Sequence, residues 1–127
     1  MILGIGTDLC EIARIQRALD RFGERFAGKI LVDAELQRFR RHRNPAAYLA
    51  KRFAAKEALS KALGTGIRFP VNWHNVRVEN AASGKPTLQF SRDLELLLER
   101  RGVTAVHLSL ADETGLASAV VILEGKP

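Results

Sequence analysis

Cysteine, tryptophan and tyrosine occur once each in the 127 residues, and proline four times. The lone Cys10 cannot close an internal disulfide, and no cysteine cluster exists to hold a metal. Its surroundings are mostly apolar, so it reads as an inert, buried thiol rather than a nucleophile. The three histidines, His42, His74 and His107, are scattered and form no zinc-ligand pattern. Long hydrophobic runs are missing too. The longest, Ala117 to Leu123 interrupted by Ser118, falls far short of the roughly 20 residues that a membrane-spanning helix needs. The first residues, Met1 to Gly6, carry no basic flank and run directly into Thr7-Asp8, unlike a secretory signal. A cytoplasmic location without membrane association is expected. With 46% apolar and 27% charged residues, no repeat and no dividing linker, the chain is expected to form one domain over residues 1–127.

Charge is distributed unevenly. Lys and Arg number 20 against 14 Asp and Glu, and 14 of the 20 are arginine. Arginine pairs bidentately with phosphate and carboxylate and stays charged under all relevant conditions, so an anionic partner is expected. Nucleic acid, an acidic protein and a phosphorylated small molecule all satisfy that requirement. A basic nucleic-acid-binding module is the rival reading. Against it, aromatics make up only 6% of the chain and are not interleaved with the basic residues as in an RNA-binding signature.

Apolar patterning predicts an α+β fold, with helices mainly in the first half packed on a mostly antiparallel sheet. Ile2 to Ile5 read as a strand that ends at Gly6-Thr7-Asp8, placing the Asp8 carboxylate at the strand's end. From about Glu11 to Phe22, Ile12, Ile15, Leu19 and Phe22 recur at helical spacing, and Arg14, Arg17 and Arg21, with Arg25 beyond Gly23, form a second stripe on another face. Asp33 reads as the N-cap of a helix that runs into Arg38, Arg40, Arg41 and Arg43. Pro45 fits the first turn of a long helix over about 46–63, which Gly64 closes. Val76 to Glu79 and Thr87 to Phe90 suggest a hairpin, Asp93 to Arg101 a helix, and Ala105 to Leu110 a strand with His107 and Ser109 facing away from its aliphatic residues. A turn at Asp112 to Gly115 leads into a last strand from Leu116 to Leu123.

Two segments are dense in chemistry. One is Gly4-Ile5-Gly6-Thr7-Asp8, the other Arg52 to Gly66. In the second, Glu57 and Lys61 lie four apart on one helix face, a spacing that serves equally for a surface ion pair. Paired with Asp8, however, Glu57 could complete a set of two hard oxygen ligands for magnesium, with Lys61 and Arg52 holding the phosphates. That constellation suits phosphoryl-type transfer, in which positioning and charge neutralisation dominate.

Four blocks carry a more specific signal. They are Asp8 within Gly-Ile-Gly-Thr-Asp-Leu-Cys-Glu-Ile, the Arg-Phe-Ala-Ala-Lys-Glu-Ala block ending in Gly-Thr-Gly-Ile, Gly84-Lys85-Pro86, and His107-Leu108-Ser109-Leu110-Ala111-Asp112. In order and distance they resemble the small bacterial phosphopantetheinyl transferases of the holo-acyl-carrier-protein synthase family, over essentially the whole chain. Residues 25–48 add little to the resemblance, and Leu116 stands where some relatives carry an aromatic.

The resemblance implies magnesium-dependent transfer of phosphopantetheine from coenzyme A to a serine hydroxyl of an acyl carrier protein, with release of adenosine bisphosphate, in fatty acid biosynthesis. It makes Asp8 and Glu57 the metal ligands and, with Lys61, the catalytic set. Arg52, Lys61, Lys85, Pro86 and His107 are implied to line the coenzyme A site, and Arg14 and Arg21 to meet an acidic helix of the carrier. For the base that takes the serine proton there are two candidates, Glu57 and a water held by Asp8. The family also implies a homotrimer with active sites between subunits. A carrier-binding protein without catalysis is a second rival, but a docking surface has no need of paired carboxylates.

Overall fold

The computed structural model describes residues 1–127 and contains ten elements. In chain order these are β1 (Ile2–Glu11), α1 (Ile12–Phe22), α2 (Glu24–Ile30), α3 (Asp33–Arg41), α4 (Pro45–Leu63), β2 (Val76–Asn80), β3 (Pro86–Phe90), α5 (Arg92–Arg100), β4 (Val103–Glu113) and β5 (Leu116–Gly125). The expected α+β architecture is present. The strands form two antiparallel sheets, one of order β1-β5-β4 and one made of the hairpin β2-β3.

α4 is the axis of the molecule. Asn44 caps it through Oδ1, which accepts from Ala47 N, Pro45 opens it, and Gly64 closes it in the left-handed conformation at φ 73°. Its small residues Ala54, Ala55 and Ala58 are fully buried. They let the helix lie directly on β1 and β5, whose inward residues include Cys10, Ala117, Ala119, Val121 and Leu123. Cys10 is buried, as its setting suggested.

The tightest approach is to β1. A Cβ on Gly4 would collide with the Ala62 carbonyl oxygen, and one on Gly6 with the Ala58 carbonyl and, at 2.6 Å, with the Ala62 nitrogen. The two glycines are therefore clearance for a helix backbone. Gly6→Ala is expected to push α4 off the strand and cost about 1–3 kcal/mol, as overpacking does. An unchanged midpoint in a urea melt would contradict this account of the glycines.

That role corrects the first strand. β1 does not end at Gly6-Thr7-Asp8 but continues to Glu11, because β5 supplies a ladder partner at each step, with Asp8 opposite Ala119. Asp8 thus lies within the strand. Other expectations shift for local reasons. Phe22, placed on the inward stripe of α1, is 56% exposed at the helix end, while Ile15 is buried. Arg25 belongs to α2, a short helix that the pattern did not reveal. Asp33 is not the cap of α3 but its first residue. Glu35 reaches back instead, its Oε1 accepting from Val32 N at 3.0 Å. β4 extends to Glu113, leaving a two-residue turn at Thr114 (φ 47°) and Gly115 (φ 81°) of the kind that right-twisted hairpins favour.

Register fixes which side chains share a face of the large sheet, because directly paired residues point the same way. Gly4, Gly6, Asp8 and Cys10 face α4. Ile5, Thr7 and Leu9 point to the other side, together with Val120 and Ile122 of β5 and His107 and Ser109 of β4. This outer face is open.

Candidate active site

The passage of α4 over the two glycines sets the site. On α4, Glu57 and Lys61 are one turn apart, about 40° round the axis, and both look toward the strand residue two positions beyond Gly6. Lys61 Nζ donates to Asp8 Oδ1 at 3.0 Å and to the Thr7 carbonyl at 3.1 Å. Asp8 is mostly enclosed, with 13% of its side chain exposed, whereas Lys61 is 53% exposed. The lysine can therefore leave the carboxylate for an incoming anion, while the carboxylate stays in place.

Asp8 Oδ2 is buried and has no hydrogen-bond partner in the protein. A buried carboxylate oxygen left unpaired costs free energy unless something positive completes it. Glu57 adds a second negative charge on the same side. Burial raises the Glu57 pKa above its ordinary value, the Asp8 charge raises it further, and Lys61 and Arg14 oppose the rise. Two converging carboxylates with one orphaned oxygen fit a hard divalent cation. No group of three or more His, Cys, Asp or Glu side chains gathers anywhere. Two oxygen donors suit an ion that takes its remaining ligands from water and substrate phosphate, as Mg2+ does.

Arg14 of α1 reaches the same edge of α4. Its guanidinium lies over the ring of Phe53, one turn before Glu57, at 5.8 Å from the centroid. Arg21 lies over its neighbour Phe22 at 5.2 Å. Both arginines are exposed.

The remaining site residues form a second grouping. Arg52 leaves α4 about 140° round the axis from Glu57. Its guanidinium stacks 4.0 Å from the centroid of Tyr48 and donates to Asn80 Oδ1 at 2.9 Å. Asn80 pairs with Pro86 in the hairpin, which brings Pro86 and the exposed Lys85 to this side. Arg52 is buried and its Nε has no partner. With Lys51, Arg38 and Arg41 it lines a cationic cleft of about 480 Å³. Arg38 and Arg41, in the last turns of α3, are thus wall residues. His107 joins neither grouping. Its Nε2 lies 2.9 Å from Glu124 Oε1 on the outer face of the sheet, opposite to Asp8.

One buried pair was not recognised in the sequence. Lys56 Nζ, fully enclosed, donates to Glu35 Oε1 at 2.7 Å and to the carbonyls of Ile30 at 2.6 Å and Trp73 at 2.8 Å. Glu35 Oε2 accepts from Val78 N at 2.9 Å. A signal was available: Leu49, Arg52, Lys56, Leu59 and Leu63 follow helical spacing, which puts Arg52 and Lys56 in a buried apolar stripe.

Comparison with known proteins gives this geometry its class. The model of the 4'-phosphopantetheinyl transferase superfamily matches residues 4–120. The holo-[acyl-carrier-protein] synthase of Nitrosospira multiformis is 52% identical, covering 98% of this chain and 99% of that one. Among solved structures, the synthase of Neisseria meningitidis superposes with a TM-score of 0.94 at 46% identity, covering 98% of this chain and 99% of that chain. The synthase of Bacillus anthracis, in complex with CoA (3',5'-ADP), superposes at 0.83 with 37% identity, covering 99% of each. The chain belongs to the 4'-phosphopantetheinyl transferase superfamily and, within it, to the holo-acyl-carrier-protein synthase family of enzymes. The resemblance drawn from four sequence blocks thus extends over the whole chain.

Proposed function

We propose that the protein transfers phosphopantetheine from coenzyme A to a serine hydroxyl of an apo acyl carrier protein, using Mg2+ and releasing adenosine bisphosphate, in support of fatty acid biosynthesis in the cytoplasm. The observation that carries this reading is the orphaned Oδ2 of Asp8 beside Glu57 and Lys61. The coenzyme A held by the Bacillus anthracis relative supports the choice of substrate.

In the transfer, the serine oxygen forms a bond to the phosphorus that carries pantetheine, the bond to the adenosine bisphosphate oxygen breaks, and the hydroxyl proton passes to a base, either Glu57 or a water held by Asp8. Asp8 and Glu57 would hold the cation, which would supply positive charge to offset that of the diphosphate. Lys61, half exposed and one turn from Glu57, moves from Asp8 to a phosphate oxygen and offsets charge on the leaving group. Arg52 lines the cationic cleft that would receive the adenosine bisphosphate end, and Lys85 and Pro86, beside Asn80 in the hairpin, would close on it from the same side. Arg14, at the edge nearest Glu57, and Arg21, two turns further along α1, meet acidic side chains of the carrier, so that opposite potentials steer the encounter.

A homotrimer is part of the proposal. The outer sheet face presents Ile5 at 63%, Leu9 at 70% and Leu116 at 44% exposure, an apolar surface that association would bury. His107 lies on that face, turned from its own Asp8, and reaches a site only by way of a neighbour.

Incubating the protein with apo carrier, coenzyme A and Mg2+ is expected to add the mass of one phosphopantetheine to the carrier. An unchanged carrier mass alongside intact coenzyme A would refute the reaction.

A further inference from the structure

Phe53 and Trp73 take no part in the chemistry above, yet they border it. Their rings stack with centroids 5.2 Å apart and planes 20° from parallel, and the Arg14 guanidinium lies over the same Phe53 ring. The stack is built outward from the core. The carbonyl of Trp73 accepts from the buried Lys56 at 2.8 Å, and the neighbouring His74 Nε2 lies 2.8 Å from the Gly28 carbonyl of α2. Three distant stretches of chain, near residues 14, 53 and 73, therefore meet in one column whose base is fixed and whose outer end is a cation.

None of the seven ion pairs of the chain involves Arg14. The Phe53 face is the contact that sets its position, within the field of Glu57. A long cationic side chain over a ring gains quadrupole attraction and loses rotamer freedom before any partner arrives. Binding that would otherwise have to order the arginine then costs less, which is preorganisation.

We propose that Phe53 and Trp73 are positioning residues for carrier recognition, their stack presetting the Arg14 guanidinium beside the Glu57 edge of α4 to meet an acidic partner surface. This rests on Arg14 being a carrier contact, as argued above. It adds that two apolar side chains, one of them in the loop between α4 and β2, set the affinity for the carrier without touching coenzyme A.

The test is a double-mutant cycle in steady-state kinetics, varying apo carrier and coenzyme A in turn, with Arg14→Ala, Trp73→Ala, Trp73→Phe and the Arg14→Ala/Trp73→Ala double variant. Trp73→Ala is expected to raise the KM for carrier about three- to fivefold, on the scale of an exposed cation–π contact, with kcat and the KM for coenzyme A unchanged. Trp73→Phe should restore most of the loss, and the double variant should be no worse than Arg14→Ala alone. Additive losses, or a raised KM for coenzyme A in Trp73→Ala, would overturn the positioning role while leaving the docking reading standing. An Arg14→Ala enzyme with an unchanged KM for carrier would instead overturn the docking reading and this inference with it. Should Trp73→Ala fail to fold, Phe53→Leu removes the ring face and keeps bulk, and the same pattern is expected of it.

Discussion

Asp8→Asn is expected to lower phosphopantetheine transfer about a hundred- to a thousandfold, the range seen when a preorganised electrostatic contact to a reacting centre is removed. The substitution is nearly isosteric. It keeps an oxygen for Lys61 Nζ, which now donates to Asp8 Oδ1 at 3.0 Å, but places an amide where the orphaned Oδ2 stood. An amide cannot supply the negative charge that a divalent cation requires. Glu57→Gln should have an effect of the same order, for the same reason.

Stability separates this loss from a folding failure. The Asp8 and Glu57 charges oppose one another, and that repulsion is part of why the Glu57 pKa is raised. Removing either charge relieves it, and only Asp8→Asn does so at the expense of an ion pair, one whose lysine is half exposed and which therefore contributes little. The thermal midpoint of both variants should stay at or slightly above that of the parent. A variant that loses activity and melts well below the parent would place the damage in the fold.

The second large effect concerns stability. Lys56→Met should cost about 3–5 kcal/mol in urea unfolding, because it leaves the Glu35 carboxylate buried without its cation. Burial pulls the Lys56 pKa below its ordinary value, and the Glu35 charge and hydrogen bond oppose that fall. The double variant Glu35→Leu/Lys56→Met shows what else the pair does. Replacing a buried ion pair by apolar residues is often neutral or stabilising. Here the pair also serves the Val32 and Val78 amides and the Ile30 and Trp73 carbonyls. Those four backbone groups would lose their partners, each at about 1–3 kcal/mol if it stays dry. The double variant should therefore recover only part of the loss, and recovery to the parent's stability would contradict this account of the pair.

Much of this was legible in the sequence. Helical spacing located α1, α4 and α5, and glycine and proline marked the limits of α4. What the pattern missed was mostly long-range. Gly6 looks like a strand terminator, and only the neighbouring helix backbone reveals it, with Gly4, as clearance within a strand that continues to Glu11. The short α2 has no sustained apolar period. Glu35 and Lys56 are 21 residues apart, so nothing local pairs them.

The candidate site divides in the same way. The proximity of Glu57 and Lys61 follows from the helix alone. Bringing Asp8 to them needed the family resemblance in sequence and the strand–helix crossing in structure. The outward turn of His107 was visible as strand alternation, yet its separation from Asp8 is a matter of which sheet face each residue occupies.

The cation clamp is most directly tested by titrating coenzyme A calorimetrically into the parent, Asp8→Asn and Glu57→Gln, each with Mg2+ and with a chelator in its place. The parent should bind coenzyme A more tightly with Mg2+, and neither variant should respond to the ion. Equal tightening by Mg2+ in all three proteins would contradict the assignment of Asp8 and Glu57 as its ligands.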